Sequence, residues 1–250
     1  MLDRIKKTYL PTTMPSKEGL ALASTGIFIA VVALLLEFYG WQGPFLLMAE
    51  PVFGLQDLNE NTAVFYAQIY TSASFFFLLV LLPLLFHLAV PLRGTNPYGL
   101  RFSGFSQNVK PYYPLLLIML PVVWIVCGSE SFNQFYPLYK PTTLSDFVLY
   151  EAIYLTQFFA VEFFYRGFCL FRFEKLAPGF GIFIMVIPYA LLHIHKPFPE
   201  ALGSIVAGLV LGALALKGRS IWPGIMCHCI VAFSADFFAL WRSGRFAELF

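Results

Sequence analysis

The chain has 250 residues, of which 59% are hydrophobic and only 12% are charged. A soluble domain carries about 25% charged residues, so this much apolar surface cannot be hidden in the core of one soluble domain. The formal net charge of +2 and the lack of a basic run exclude nucleic acid as a partner. The composition therefore predicts an integral membrane protein whose first partners are membrane lipids.

Seven apolar segments approach the length of about 20 residues that a membrane-spanning helix needs. They are 19–39, 64–91, 111–128, 146–171, 180–195, 199–216 and 220–241, of which the second is long and the fifth and sixth are short. The stretch 41–56, "WQGPFLLMAEPVFGLQ", is broken by prolines and glycines, which favours an interfacial position. We predict an all-α, polytopic transmembrane helical bundle with seven spans, and an eighth span as the alternative.

Basic residues alternate between the ends of the predicted spans, which predicts the orientation of the chain. The N-terminal stretch is basic, and the long apolar run after it lacks a small-residue cleavage site, so we expect a retained span. We predict a cytoplasmic N-terminus in a bacterial inner (plasma) membrane. One side carries Arg4, Lys6, Lys7, Lys17, Arg93, Arg101, Lys110, Arg172, Lys175, Lys217 and Arg219, and the other carries Lys140 and Lys196, with Arg242 and Arg245 as exceptions.

The polar residues that could carry chemistry concentrate in the second half of the chain. We therefore expect residues 1–145 to supply about three wrapping spans, 146–241 to form a core of about four spans, and 242–250 to be a tail. Four cysteines include the run Cys227-His228-Cys229, but neighbours on a helix point about 100° apart and cannot close a tetrahedral metal site alone. We predict packing cysteines and neither a metal nor another cofactor.

The segment "AVEFFYRGF" places Glu162 and Arg166 four residues apart inside an apolar span. This spacing puts both side chains on one face of a helix. An ionised side chain is costly in hydrocarbon and normally faces the bundle interior or a wet cavity. A salt bridge that only holds helices together is the alternative interpretation.

Two histidines on later spans lie at a similar predicted depth. With 1.5 Å per helical residue, Glu162, His193 and His228 lie roughly 14, 20 and 12 Å from the cytoplasmic helix ends, whereas Arg166 lies roughly 8 Å and Asp236 roughly 24 Å deep. We therefore predict that Glu162, Arg166, His193 and His228 line one cavity that opens to the cytoplasm.

A carboxylate and a histidine in a poorly hydrated cavity can activate a water molecule as general base. We predict Glu162 as that base, held ionised by Arg166, with His193 sharing the proton and His228 stabilising the oxyanion. Asp236 would orient His228 or close the cavity from below. The sequence has no serine in a Gly-x-Ser-x-Gly setting and no His-Glu-x-x-His, so neither a serine nucleophile nor a zinc-protease helix is indicated.

Three motifs on successive spans carry a resemblance to a known family. "EFFYRGF" (162–168), "YALLH" (189–193) and "HCIVAFSAD" (228–236) resemble the motifs of the CAAX protease and bacteriocin-processing family, also called the CPBP or Abi family. Its eukaryotic relatives are the prenyl-protein CAAX endopeptidases. The resemblance covers about residues 146–240 and implies a membrane-embedded helical bundle that cleaves peptides with a glutamate-activated water. Tyr189 and His193 match the second motif.

Two positions depart from the family pattern. The family's first motif usually begins with two glutamates, and the first of them is generally assigned as the base, but this chain has Val161 before Glu162. The third motif usually places asparagine four residues after the histidine, where this chain has Ala232. Asp236, one turn further along the helix, is the candidate substitute.

We therefore predict an intramembrane endopeptidase that hydrolyses a membrane-associated or lipidated peptide or lipoprotein substrate. A catalytically silent membrane scaffold that binds a membrane protein partner is the main alternative. A small proton-relaying transporter is the third hypothesis. It is disfavoured because ionisable groups cluster in one half of the chain and no inverted repeat is evident.

Overall fold

The architecture is a bundle of helices, described by a computed structural model over residues 16–53, 59–92 and 98–250. Outside the helices, the described residues contain one isolated β-bridge, between Leu100 and Ser220. The all-α prediction is thereby confirmed. The helices are α1 Lys17–Gly40, α2 Gln42–Phe53, α3 Glu60–Ala89, α4 Phe105–Asn108, α5 Tyr112–Val126, α6 Glu130–Phe135, α7 Leu144–Leu176, α8 Gly181–Leu191, α9 Phe198–Gly218 and α10 Trp222–Arg242, followed by a short 3₁₀ helix, Arg245–Leu249.

Five of these helices are long and apolar enough to cross a membrane, namely α1, α3, α7, α9 and α10. The third and fifth predicted segments form the shorter apolar helices α5 and α8, with 15 and 11 residues. An 11-residue helix rises about 16 Å, roughly half the hydrocarbon core. The prediction that the fifth segment continues to residue 195 is wrong, because α8 ends at Leu191 and the chain turns there.

Local sequence signals explain where several helices begin. The side-chain oxygens of Ser16, Asn59 and Thr143 accept hydrogen bonds from backbone N–H groups in the first turns of α1, α3 and α7. Helices α9 and α10 instead carry proline in the first turn, where its missing N–H costs nothing. The stretch predicted to be interfacial forms α2, and its last residues, 54–56, lie outside the described ranges, as do Arg4, Lys6, Lys7 and Arg93.

Helices α8 and α9 form a closely packed antiparallel hairpin. A Cβ atom on Gly208 would lie 2.9 Å from Val186, and one on Gly212 would lie 3.1 Å from Met185. The glycines therefore let the two backbones approach, as small residues do in membrane bundles. Gly203 on the same helix has open space beside it.

Helix α7 is the central element of the bundle, since it contacts α1, α3, α8 and α10. Its middle section, Phe163–Cys169, is a π-helical turn, a feature that often occurs at functional sites. At Gly167 the backbone of the connection before α4 lies against the helix, and a Cβ atom there would be 2.8 Å from the Tyr98 carbonyl oxygen. That connection also binds the start of α10, because Ile221 N donates to Gly99 O at 2.9 Å.

We expect Gly167→Ala to lower the free energy of unfolding by about 1–3 kcal/mol, because the new methyl group meets backbone that cannot rotate away. Gly203→Ala is the matched control and should be neutral or slightly stabilising, since alanine is the better helix former. Thermal unfolding of both variants in the same detergent checks this. Equal melting temperatures for the two variants would show that the Tyr98 backbone yields freely.

Candidate functional site

Glu162 and Arg166 form a fully buried ion pair at the π-helical turn of α7. Arg166 Nη1 lies 3.2 Å from Glu162 Oε1, and both side chains are 0% exposed. Removing two charges from solvent is costly unless they are paired, so each residue depends on the other. The predicted shared face of the i, i+4 pair is therefore present in the fold.

His228 on α10 reaches the same carboxylate oxygen. Its Nδ1 lies 3.0 Å from Glu162 Oε1 and donates to it, which leaves Nε2 available for another partner. The imidazole packs against Phe158, with ring centroids 4.5 Å apart. The ring is thus fixed between an aromatic side chain on α7 and the carboxylate.

Tyr189 on α8 covers the guanidinium from the other side. Arg166 Cζ lies 3.8 Å from the centre of the Tyr189 ring, a cation–π distance. Tyr189 also packs edge-on against Tyr165, the residue before Arg166. The aromatic face holds Arg166 in the orientation that serves Glu162.

His193 lies in the turn after α8 and not inside a span. Its Nδ1 is 2.9 Å from the Tyr189 carbonyl oxygen, which can only accept, so Nδ1 carries the proton and Nε2 is free. The side chain is close enough to His228 and Arg166 to interact with both electrostatically. The structure therefore brings Glu162, Arg166, His193 and His228 into one region.

The second carboxylate oxygen, Glu162 Oε2, has no hydrogen-bond partner within the described ranges. It faces Gly224 in the first turn of α10, where a Cβ atom would lie only 2.9 Å away. The hydroxyl of Tyr112 is 3.9 Å from the same point and is likewise buried. Neither Gly224 nor Tyr112 is identified by the sequence analysis, because no local spacing connects them with Glu162.

Asp236 does not join this group. It lies on α10, 0% exposed, beside Glu151 of α7, which is 4% exposed. The four carboxyl oxygens have no hydrogen-bond partner that satisfies ordinary geometry in the described part of the chain. The structure thus gives Asp236 an acidic neighbour instead of the predicted contact with His228. Glu151, an acid within an apolar segment, is the signal that sequence reasoning missed.

A hydrogen-bonded network of polar side chains stabilises the turn that carries His193. Lys196 Nζ donates to Tyr136 Oη at 2.7 Å, and Tyr136 Oη lies 2.8 Å from both carboxylate oxygens of Glu200. Burial lowers the pKa of Lys196, while the nearby Glu200 carboxylate acts in the opposite direction. This network ties the turn between α8 and α9 to the connection after α6.

Val161, at the position of the missing glutamate, is 2% exposed and packs in the largest apolar cluster of the bundle.

Cys127, Cys169, Cys227 and Cys229 are free thiols. Over residues 16–53, 59–92 and 98–250, no three histidine, cysteine or acidic side chains are grouped closely enough to hold a metal ion.

Comparison with known proteins finds a family whose sequence pattern matches part of the chain. Residues 143–234 match the family described as type II CAAX prenyl endopeptidase, Rce1-like. The matched segment contains all of α7, α8 and α9, and α10 as far as Ser234, so it includes the first two sequence motifs and nearly all of the third. The resemblance stated from the sequence is therefore confirmed over this segment. Together with the five long apolar helices, it indicates an integral membrane protein. No curated protein and no solved structure shows significant similarity to the chain.

We expect Arg166→Leu to lower the free energy of unfolding by about 3–5 kcal/mol, because it leaves the Glu162 carboxylate buried without its cation. The double variant Glu162→Gln with Arg166→Leu should recover much of that loss, since neither charge then remains. Yield of folded protein and thermal unfolding in detergent measure both effects. Wild-type stability of the single variant would show that the pair does not stabilise the bundle.

Proposed function

We propose that the protein is an intramembrane endopeptidase in which Glu162 activates the attacking water. The observation that carries this proposal is that the two oxygens of the Glu162 carboxylate have different surroundings. Oε1 is held by Arg166 at 3.2 Å and by His228 at 3.0 Å, while Oε2 has no partner among the described residues. A general base needs a fixed position and a free lone pair, and Glu162 has both.

The proposed reaction begins when Glu162 Oε2 takes a proton from water as the oxygen attacks the peptide carbonyl. The carbonyl π bond opens and leaves a negatively charged oxygen, which His228 stabilises by donating from Nε2 in its doubly protonated form. The C–N bond then breaks, and the leaving amine receives the proton that Glu162 took, through His193 Nε2. No covalent intermediate with the protein forms.

The proposed substrate is a membrane-associated peptide, and a lipidated one fits the setting best. The site lies among helices that expose apolar side chains, and the matched family acts by its name on prenylated proteins. A substrate with a lipid chain would partition into the same bilayer and be concentrated at the site. A membrane protein partner that presents the substrate is compatible with this proposal.

One observation favours the scaffold as a second candidate. Val161 occupies the position at which the family usually carries its base, and it is buried among apolar side chains. Glu162 is itself 0% exposed. Under this alternative the buried Glu162–Arg166 pair holds the helices together, and the bundle surface binds a membrane partner. Loss of a co-purifying partner on mutation of that surface, with no cleavage by wild type, would support it.

We also propose that the N-terminus is cytoplasmic and that the membrane is a bacterial inner membrane. The connections at the end of the bundle that contains Lys110, Lys175 and Lys217 are the more basic ones, as in cytoplasmic loops. A periplasm-dependent reporter fused after Phe250 should then be active, and one fused after Lys110 should be silent. The reverse pattern would invert the orientation.

We expect Glu162→Gln to reduce cleavage of a lipidated tail peptide by at least about 10²-fold, because glutamine keeps the shape but cannot accept the proton. Asp236→Asn is the matched control, since it makes the same acid-to-amide change away from Glu162, and it should leave measurable turnover. Purified protein in lipid vesicles and separation of the peptide products provide the assay.

Normal cleavage by the Glu162→Gln variant together with a dead Asp236→Asn variant would reverse the two roles. Absence of cleavage by the wild type, with every lipidated and unmodified peptide offered, would favour the scaffold.

A further inference from the structure

Two unpartnered oxygens on different helices face one point in the bundle. Glu162 Oε2 and Tyr112 Oη both lie within 4 Å of the position that a Cβ atom on Gly224 would take. Both atoms are buried, and neither has a hydrogen-bond partner in the part of the chain that the structure describes. Buried polar atoms in folded proteins normally have a partner, from protein or ordered water.

The position of Tyr112 is fixed by packing. It begins α5, its side chain is 1% exposed, and it belongs to an apolar cluster with Leu116, Leu211 and Cys227. Its hydroxyl is close enough to Glu162 and Arg166 to interact with both electrostatically. The packing therefore keeps the hydroxyl near the ion pair and gives the ring little freedom to turn elsewhere.

We infer that Tyr112 is a further catalytic residue, and that its hydroxyl and Glu162 Oε2 together hold the attacking water above the bare backbone of Gly224. The inference rests on the proposed peptidase function. It also extends the site beyond residues 143–234, the segment that matches the family. The Gly224 Cβ position lies 2.9 Å from Glu162 Oε2 and 3.9 Å from Tyr112 Oη. A water molecule displaced from it towards Tyr112 would meet two polar partners, the number that a buried water needs as a minimum.

The arrangement would orient the water for attack. The water donates one hydrogen to Glu162 Oε2 and accepts the Tyr112 hydroxyl hydrogen, so one lone pair stays free to attack the substrate carbonyl. Tyr112 loses no proton in this step, and the proton that leaves the water goes to Glu162. Gly224 is required because any side chain there would occupy the space of the water.

We expect Tyr112→Phe to lower kcat by about 10–100-fold and to change KM less than about twofold, because phenylalanine keeps the packed ring and loses only the hydroxyl. Tyr113→Phe is the matched control, since Tyr113 is the next residue and 53% exposed, and it should cleave as wild type does. Gly224→Ala should show the same loss as Tyr112→Phe, whereas Gly203→Ala should show none.

A stability measurement tests the shared water without using activity. Melting temperatures are compared for wild type, Tyr112→Phe, Glu162→Gln and the double variant. If the two oxygens share a water, the shift caused by Tyr112→Phe should differ by a few degrees according to whether the Glu162→Gln substitution is also present. Additive shifts would overturn the shared water.

The two measurements separate this inference from the function on which it rests. Wild-type kcat in the Tyr112→Phe variant, with the loss retained in Glu162→Gln, would overturn the role of Tyr112 and leave Glu162 as the base. If the wild type cleaves nothing, the peptidase proposal fails, and the melting temperatures alone then decide whether Tyr112 and Glu162 share a ligand.

Discussion

The buried ion pair between Glu162 and Arg166 is the interaction on which the rest of the site depends. A carboxylate in an apolar bundle is stable only if a cation and hydrogen-bond donors meet it there. Arg166 meets it from the same helix, and His228 meets it from α10. Tyr189 then covers the guanidinium with its ring, so three side chains, from α7, α8 and α10, are arranged around the charge of Glu162.

Two further features of the structure support the region around the Glu162 charge. The π-helical turn Phe163–Cys169 includes Arg166, and Gly167 within it lets the connection at Tyr98 lie against α7. On the other side, Lys196, Tyr136 and Glu200 brace the turn that carries His193. The neighbouring carboxyl groups of Glu151 and Asp236 form a separate buried acidic pair between α7 and α10.

Local patterns in the sequence predict part of this architecture and tertiary packing decides the rest. The apolar segments and the i, i+4 spacing of Glu162 and Arg166 are local, so the helical class and the ion pair follow from the sequence. The predicted end of α8 lies four residues too late because apolar residues continue past Leu191 into the turn. Tyr112 could not be found in this way, since its neighbours come from helices that are distant in sequence. Glu151 is visible as an acid in an apolar segment, but its proximity to Asp236 depends on tertiary packing.

The central claim is that the free oxygen of Glu162 holds a water molecule poised for chemistry. The most direct measurement is an experimental structure of the wild-type protein in lipid, at a resolution that shows ordered water. Our account predicts a water within about 2.6–3.2 Å of Glu162 Oε2, also bonded to the Tyr112 hydroxyl above Gly224. A Glu162 Oε2 bonded directly to a protein donor, with no water beside it, would contradict the account.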